Sequence, residues 1–316
     1  MSKDLYEKMK DTIPIDTGGL IRVGILDLTR RHGPDYLIKV LKNIESSEGL
    51  GTDTQDLMNV AINWDKTTPL EMESGTLFRI LWFYFNKNNI ERQIVPVRTL
   101  VNRVEKMSLN PEIKYWPLAK LGTLEGGTTQ YQTAAILMGN NETLDEVPFY
   151  IKKTYNIRLN WENQMREGKH WSIPKDPTLI TQCEDYINYL KTGTINTKPD
   201  KLGDCDLYCF FRAFDAVSRE WGEKNWPQLA QHESSRFQHT DDALKKLNEG
   251  KIINSNDHRV VEAGAMIIQA RSIRGNYAPL STEKIKERFS NPGCVAKKWP
   301  RFWEAMDYSR SHFSKF

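Results

Sequence analysis

Apolar residues recur along the chain in two rhythms. Runs rich in β-branched and aromatic side chains, Ile21–Leu28, Ile90–Val95, Val147–Leu159 and Lys251–Asn254, predict extended segments. Elsewhere the spacing turns helical, over Asp35–Ile44, Thr76–Asn86, Pro96–Met107, Thr129–Met138 and Thr178–Leu190. It stays helical over Leu207–Arg219, Ser235–Leu247, Arg259–Arg271 and Pro300–Tyr308. Leu207, Phe210, Phe211, Phe214 and Val217 keep one helical face apolar and predict that this face is buried. Gly193 and Gly250 mark helix ends. Extended and helical stretches alternating in this way predict an α/β architecture. The polar segment Thr192–Leu202 is the most linker-like stretch, and it suggests an N-terminal lobe over 1–195 and a C-terminal lobe over 196–316.

Charge and cysteine usage narrow the chemistry. With 44 Lys and Arg against 41 Asp and Glu, the net charge of +3 is too balanced to argue for a nucleic-acid partner. The longest apolar run, Ile80–Phe85, is far short of a membrane span, and the polar start MSKDLYEKMKDTIP has no signal-peptide core. A cytoplasmic protein without a membrane partner is expected. The four cysteines form no C-x-x-C pair, which removes zinc-ribbon and thioredoxin-like chemistry, and Cys205 and Cys209 read as core thiols. His232-Glu233 is followed by His239 at the wrong spacing for H-E-x-x-H, so no metal site is expected. Neither a P-loop nor a G-x-S-x-G elbow is present.

Five helix starts share one physical logic. A helix N-terminus exposes free N–H groups at the positive end of the dipole, where phosphates and carboxylates bind. The five are Glu73-Ser74-Gly75-Thr76 with Arg79 a turn later, Gly126-Gly127-Thr128-Thr129-Gln130, Gly203-Asp204-Cys205-Asp206, His232-Glu233-Ser234-Ser235-Arg236, and Asn256-Asp257-His258-Arg259. Each taken alone is explained by an ordinary N-cap.

Taken in order, these fragments resemble the motifs of the 5-enolpyruvylshikimate-3-phosphate synthase family. Ser74-Gly75-Thr76-x-x-Arg79 resembles its A-G-T-x-x-R, and Gly127-Thr128-Thr129-Gln130-Tyr131 resembles its S-S-Q-[FY]. Glu233-Ser234-Ser235-Arg236 resembles K-E-[ST]-D-R, and Asn256-Asp257-His258-Arg259 is identical to N-D-H-R. Cys294-x-Ala296-Lys297-x-x-Pro300-x-Phe302 resembles C-x-A-K-[TS]-[FY]-P-x-[FY]. The resemblance runs over roughly residues 70 to 305.

The resemblance implies a two-lobed fold of βαβαββ repeats, here with about one repeat missing. It implies transfer of the enolpyruvyl (carboxyvinyl) group of phosphoenolpyruvate to a hydroxyl of shikimate-3-phosphate or a related phosphorylated acceptor. Phosphate is released and no cofactor is needed. This is the chemistry of the shikimate pathway to the aromatic amino acids, carried out on small anionic substrates by a monomer. Carried over residue by residue, Asp204, Glu233 and His232 take the catalytic positions. Gly75, Thr76, Arg79, Thr128, Thr129, Gln130, Arg236, His258, Arg259 and Lys297 take the substrate-binding ones. The chain also departs from the family. Nothing before residue 70 matches its K-S-x-x-x-R, and a second phosphoenolpyruvate-binding arginine is replaced by Arg92 or Arg98 at a shifted position. His232 stands where the family has lysine and Ser235 where it has aspartate. These departures open an alternative, a non-catalytic homologue that binds an anionic metabolite or a protein partner.

Overall fold

The computed structural model describes residues 2–30, 33–127, 129–230, 235–275 and 279–313. It overturns the α/β expectation. Among the described residues the sheet consists of Leu70–Met72 paired in parallel with Ile94–Pro96, Leu70 opposite Ile94. The rest of the regular structure is helical, so there is no βαβαββ repeat. The segment Ile21–Leu28 lies inside helix Thr17–Arg30, and Val147–Leu159 lies in and around helix Phe149–Arg166. Lys251–Asn254 contributes one isolated bridge, Ile253 to Phe289. The physical reason is burial. Helix Thr17–Arg30 is buried on all sides from Gly19 to Leu28, so it shows no polar stripe. An unbroken apolar run fits a buried strand and a buried helix equally well.

Contacts divide the chain into two units, residues 16–173 and residues 1–15 with 174–316. In the first, Thr17–Arg30 packs against Thr52–Ile62 and Phe149–Arg166, while Gly75–Lys87 packs against Gln130–Leu137. Asp27 sits in the centre of this core, and both its oxygens accept indole N–H bonds, from Trp161 at 2.8 Å and Trp171 at 2.6 Å. Ser74 caps Gly75–Lys87 by accepting from the Leu77 N–H, and Asp56 in turn accepts the N–H groups of Glu73 and Ser74.

In the second unit the axis is helix His258–Arg274, buried along most of its length. Around it pack Pro177–Thr192, Tyr208–Ala213, Arg236–Asn248 and Phe302–Phe313. Ser2–Thr12 closes on Phe302–Phe313 and Pro177–Thr192. Three of these helices start with the caps their sequences announce: Asp176 ahead of Pro177, Ser235 ahead of Arg236, and Asp257 ahead of His258. The face Leu207, Phe210, Phe211, Phe214 and Val217 is buried, as its spacing predicts. The helix itself is shorter than expected, because Asp215 takes a left-handed φ of 56° and Ser218 opens a new helix at Arg219.

Gly222 makes that packing possible. A Cβ there would lie 2.5 Å from Tyr208 Cε2 and 2.9 Å from Phe237 Cε1, inside an aromatic cluster that also holds Trp226. Gly222→Ala is expected to cost about 1–3 kcal/mol through overpacking. Urea unfolding of wild type and variant checks it, and equal midpoints would show that the cluster has slack.

Candidate functional site

The motif residues gather in two places, one in each unit. In the residue 16–173 unit they form a network around Arg79. Its guanidinium donates to Glu125 Oε2 from Nε at 2.8 Å and Nη2 at 2.5 Å, and to Gln130 Oε1 from Nη1 at 2.8 Å. Gln130 donates through Nε2 to Thr76 Oγ1 at 3.1 Å. Gly75 keeps the space open, since a Cβ would meet Arg79 Nη1 at 3.0 Å. Thr129 precedes helix Gln130–Leu137 without a side-chain cap. Gly75, Thr76, Arg79 and Gln130 are therefore brought together. Thr128 lies outside the described residues.

Glu125 is the member that sequence reasoning missed. It accepts from Arg79, from Tyr131 Oη at 2.9 Å and from the Ser108 N–H at 2.8 Å. Burial and the Glu125 charge push the Tyr131 phenol well above its ordinary range, so it stays a donor. The Arg79 cation is thus satisfied within the protein. The one sequence signal was an acidic residue directly before the Gly126-Gly127 pair.

The second gathering, in the other unit, is richer in charge. Arg236 and Arg259 come from the starts of two different helices and meet at Asp206. Arg236 Nη1 is 3.2 Å and Arg259 Nε 2.9 Å from Asp206 Oδ1. Both arginines also face Asp257, at 3.6 Å and 3.7 Å. Asp257 caps its helix by accepting the Arg259 N–H at 3.0 Å. Burial raises the Asp257 pKa, but the charges of Arg259 and Arg236 outweigh it and hold the carboxyl below its ordinary value. Asp204 is buried, accepts the Asp206 N–H at 3.0 Å and accepts a short hydrogen bond from the Thr178 hydroxyl.

The two lysines of the C-terminal motif are placed differently. Lys297 ends the 3₁₀ turn Pro292–Lys297 and is exposed. Its neighbour Lys298 turns inward instead, pairing with Asp176 Oδ2 at 2.5 Å and acting electrostatically on His258 and Glu262. In a 3₁₀ turn three residues complete a revolution, so a shift of one position changes the face completely. His232 and Glu233 lie outside the described residues. Asp206 was visible in the sequence only as part of the Gly203–Asp206 fragment, Thr178 only as the first residue of a helical segment, and Asp176 not at all.

His258 is buried and its pKa is driven well below the ordinary imidazole value by burial and by the Arg259 charge. It is a neutral ring at pH 7. Thiol chemistry is suppressed: burial pushes Cys205 and Cys209 up to about 12 and Cys294 up to about 11. Among the described residues no three His, Cys, Asp or Glu side chains are placed to hold a metal ion, and no helix is long and apolar enough to cross a membrane.

Three positive side chains from three segments, Arg236, Arg259 and Lys298, are each held by a carboxylate. Comparison with known proteins gives no family, curated protein or solved structure that matches this chain.

Proposed function

We propose that the chain binds a small phosphorylated carboxylic acid at the Arg236–Arg259–Lys298 cluster and transfers a carboxyvinyl group from it to a hydroxyl. Phosphoenolpyruvate is the donor in this reading. The observation that carries it is that Arg236 and Arg259, from two helix starts that resemble enolpyruvyl-transferase motifs, meet at Asp206, whose N–H binds Asp204, while Lys298 acts on His258 of the same helix start. The chemistry needs cations for the phosphate and carboxylate, an acid for the methylene carbon and a base for the acceptor hydroxyl. The acceptor oxygen bonds to C2 of phosphoenolpyruvate as C3 takes a proton, giving a tetrahedral intermediate. Loss of phosphate and of one C3 proton then restores the double bond. Asp204 is the base-side carboxylate of this scheme, and shikimate-3-phosphate is the acceptor to try first. A reducing cytoplasm belongs to the same reading, since all four cysteines are free.

A second reading, anion binding without turnover, is favoured by one observation. Asp206 engages both arginines and competes with a ligand for them. Phosphate release from phosphoenolpyruvate, with and without shikimate-3-phosphate, separates the two. Acceptor-dependent release is expected, and Arg259→Gln is expected to lower kcat/KM by about tenfold or more, the value of one charge-assisted hydrogen bond. Lys298→Met should do the same while Lys297→Met changes little. Saturable binding without release would leave the second reading, and neither binding nor release would sink both.

A further inference from the structure

The anion cluster borders a buried carboxyl group that no motif marks. Glu262 lies one helical turn beyond His258, and so on the same side of helix His258–Arg274. It is 1% exposed, and its Oε1 has no hydrogen-bond partner. His258 is 8% exposed with Nε2 in the same condition. Arg259 and Asp257 act on Glu262 from its own helix start, and Lys298 acts from the segment after Pro292–Lys297. Gln182 is its polar neighbour from Pro177–Thr192, and Cys294 faces it from the 3₁₀ turn. Arg236, from the helix alongside, is bound to Asp206 and Asp257. Cys209, from Tyr208–Ala213, is occupied with Thr240.

Each cation of this cluster already has a carboxylate partner, and Asp204 adds a further carboxylate beside Asp206. Arg236 and Arg259 face Asp206 and Asp257, and Lys298 faces Asp176. An anion that takes over Arg259 and Lys298 adds negative charge to a buried setting with none to spare. A buried carboxyl group able to take a proton relieves the excess. We propose that Glu262 is that group: an anion settling against Arg259 and Lys298 is accompanied by uptake of a solvent proton in those molecules whose Glu262 is a carboxylate. This rests on the reading of the cluster as an anion site.

The electrostatics support the assignment. Burial raises Glu262 to about 8, against the pull of Arg259 and Lys298. At pH 8 about half of the molecules carry the carboxylate form, and turning those two cations toward a ligand removes the pull that sustains it. The competing groups drop out at that pH. His258 is neutral far above its depressed pKa, and the Cys209 and Cys294 thiols keep their protons.

Calorimetric titration of the full chain at pH 8, in two buffers of different ionisation enthalpy, tests the proposal. The probes are phosphoenolpyruvate and sulfate, the latter having no proton of its own to exchange. Wild type is expected to take up about half a proton per anion bound, and Glu262→Gln close to none. Binding without proton uptake in wild type overturns this inference and leaves the anion site standing. Equal uptake in Glu262→Gln and wild type does the same. No binding of either anion overturns the anion site and this inference together. The wild-type measurement decides the matter even if the variant fails to fold.

Discussion

Asp27→Ala is expected to destabilise the residue 16–173 unit by about 2–6 kcal/mol. The figure comes from two orphaned donors. Asp27 is fully buried and each of its oxygens holds one indole N–H, from Trp161 and Trp171. Both tryptophans are themselves 4% exposed, so neither can turn to water without opening the core. Leaving a buried donor unsatisfied costs about 1–3 kcal/mol, and here there are two. Asp27→Asn separates this from simple loss of volume. The amide keeps one acceptor oxygen but presents an NH₂ group to the second indole, so it should fall between alanine and wild type. Tryptophan fluorescence and near-UV circular dichroism through a urea titration read the effect directly. A loss below about 1 kcal/mol for Asp27→Ala would mean that the two indoles are solvated in the folded chain and that Asp27 does not hold the core.

Asp27 also shows why part of the fold was hidden. It stands in a run that reads as a strand, Ile21–Leu28, because Arg22 and Asp27 are the only charged residues there and both are buried. Amphipathic period, the main sign of a helix, vanishes when a helix is enclosed on all sides. Val147–Leu159 misled for another reason. The buried positions of its helix, Phe149–Arg166, are Ile151, Thr154, Arg158 and, just past the run, Trp161, and their spacing is helical. Two of the four are polar, so an apolar count passes over the stripe. Four helix starts follow their cap chemistry: Ser74, Asp176, Ser235 and Asp257 each accept a backbone N–H of the first turn. The same holds for the site. Arg236 and Arg259 were visible because they follow caps. Glu125, Asp206 and Lys298 were not, because their roles come from which chain segments meet, and local spacing carries no record of that.

Glu262→Gln is expected to be more stable than wild type above pH 7 and to lose most of the decline that wild type shows there. The sign follows from proton counting. Burial raises the folded pKa of Glu262 to about 8 from an ordinary value of 4.5. Between those two values the unfolded chain gives up a proton that the folded chain keeps, so stability falls as pH rises. His258 works in the opposite direction. Its folded pKa is depressed below 6.5, so under pH 6.5 the unfolded chain binds a proton that the folded chain refuses, and stability rises with pH. Asp257, held below 3.8, acts only in more acid solution. Below pH 6.5 the Glu262 and His258 slopes oppose each other, and wild type should be flatter there than above it. From 6.5 to 8 Glu262 sets most of the slope, and the buried thiols, raised to about 11–12, add a fall of their own toward pH 8.5 in wild type and variant alike. At about 1.4 kcal/mol per pH unit, wild type should lose about 2 kcal/mol across that interval. Glutamine removes this slope and exposes the other one, so the variant should gain stability up to pH 6.5 and then keep only the fall of the thiols. Urea midpoints at half-unit steps from pH 4.5 to 8.5 give both curves. Parallel curves would mean that Glu262 ionises in the folded chain as it does in water, and its place in the buried charge cluster would have to be withdrawn.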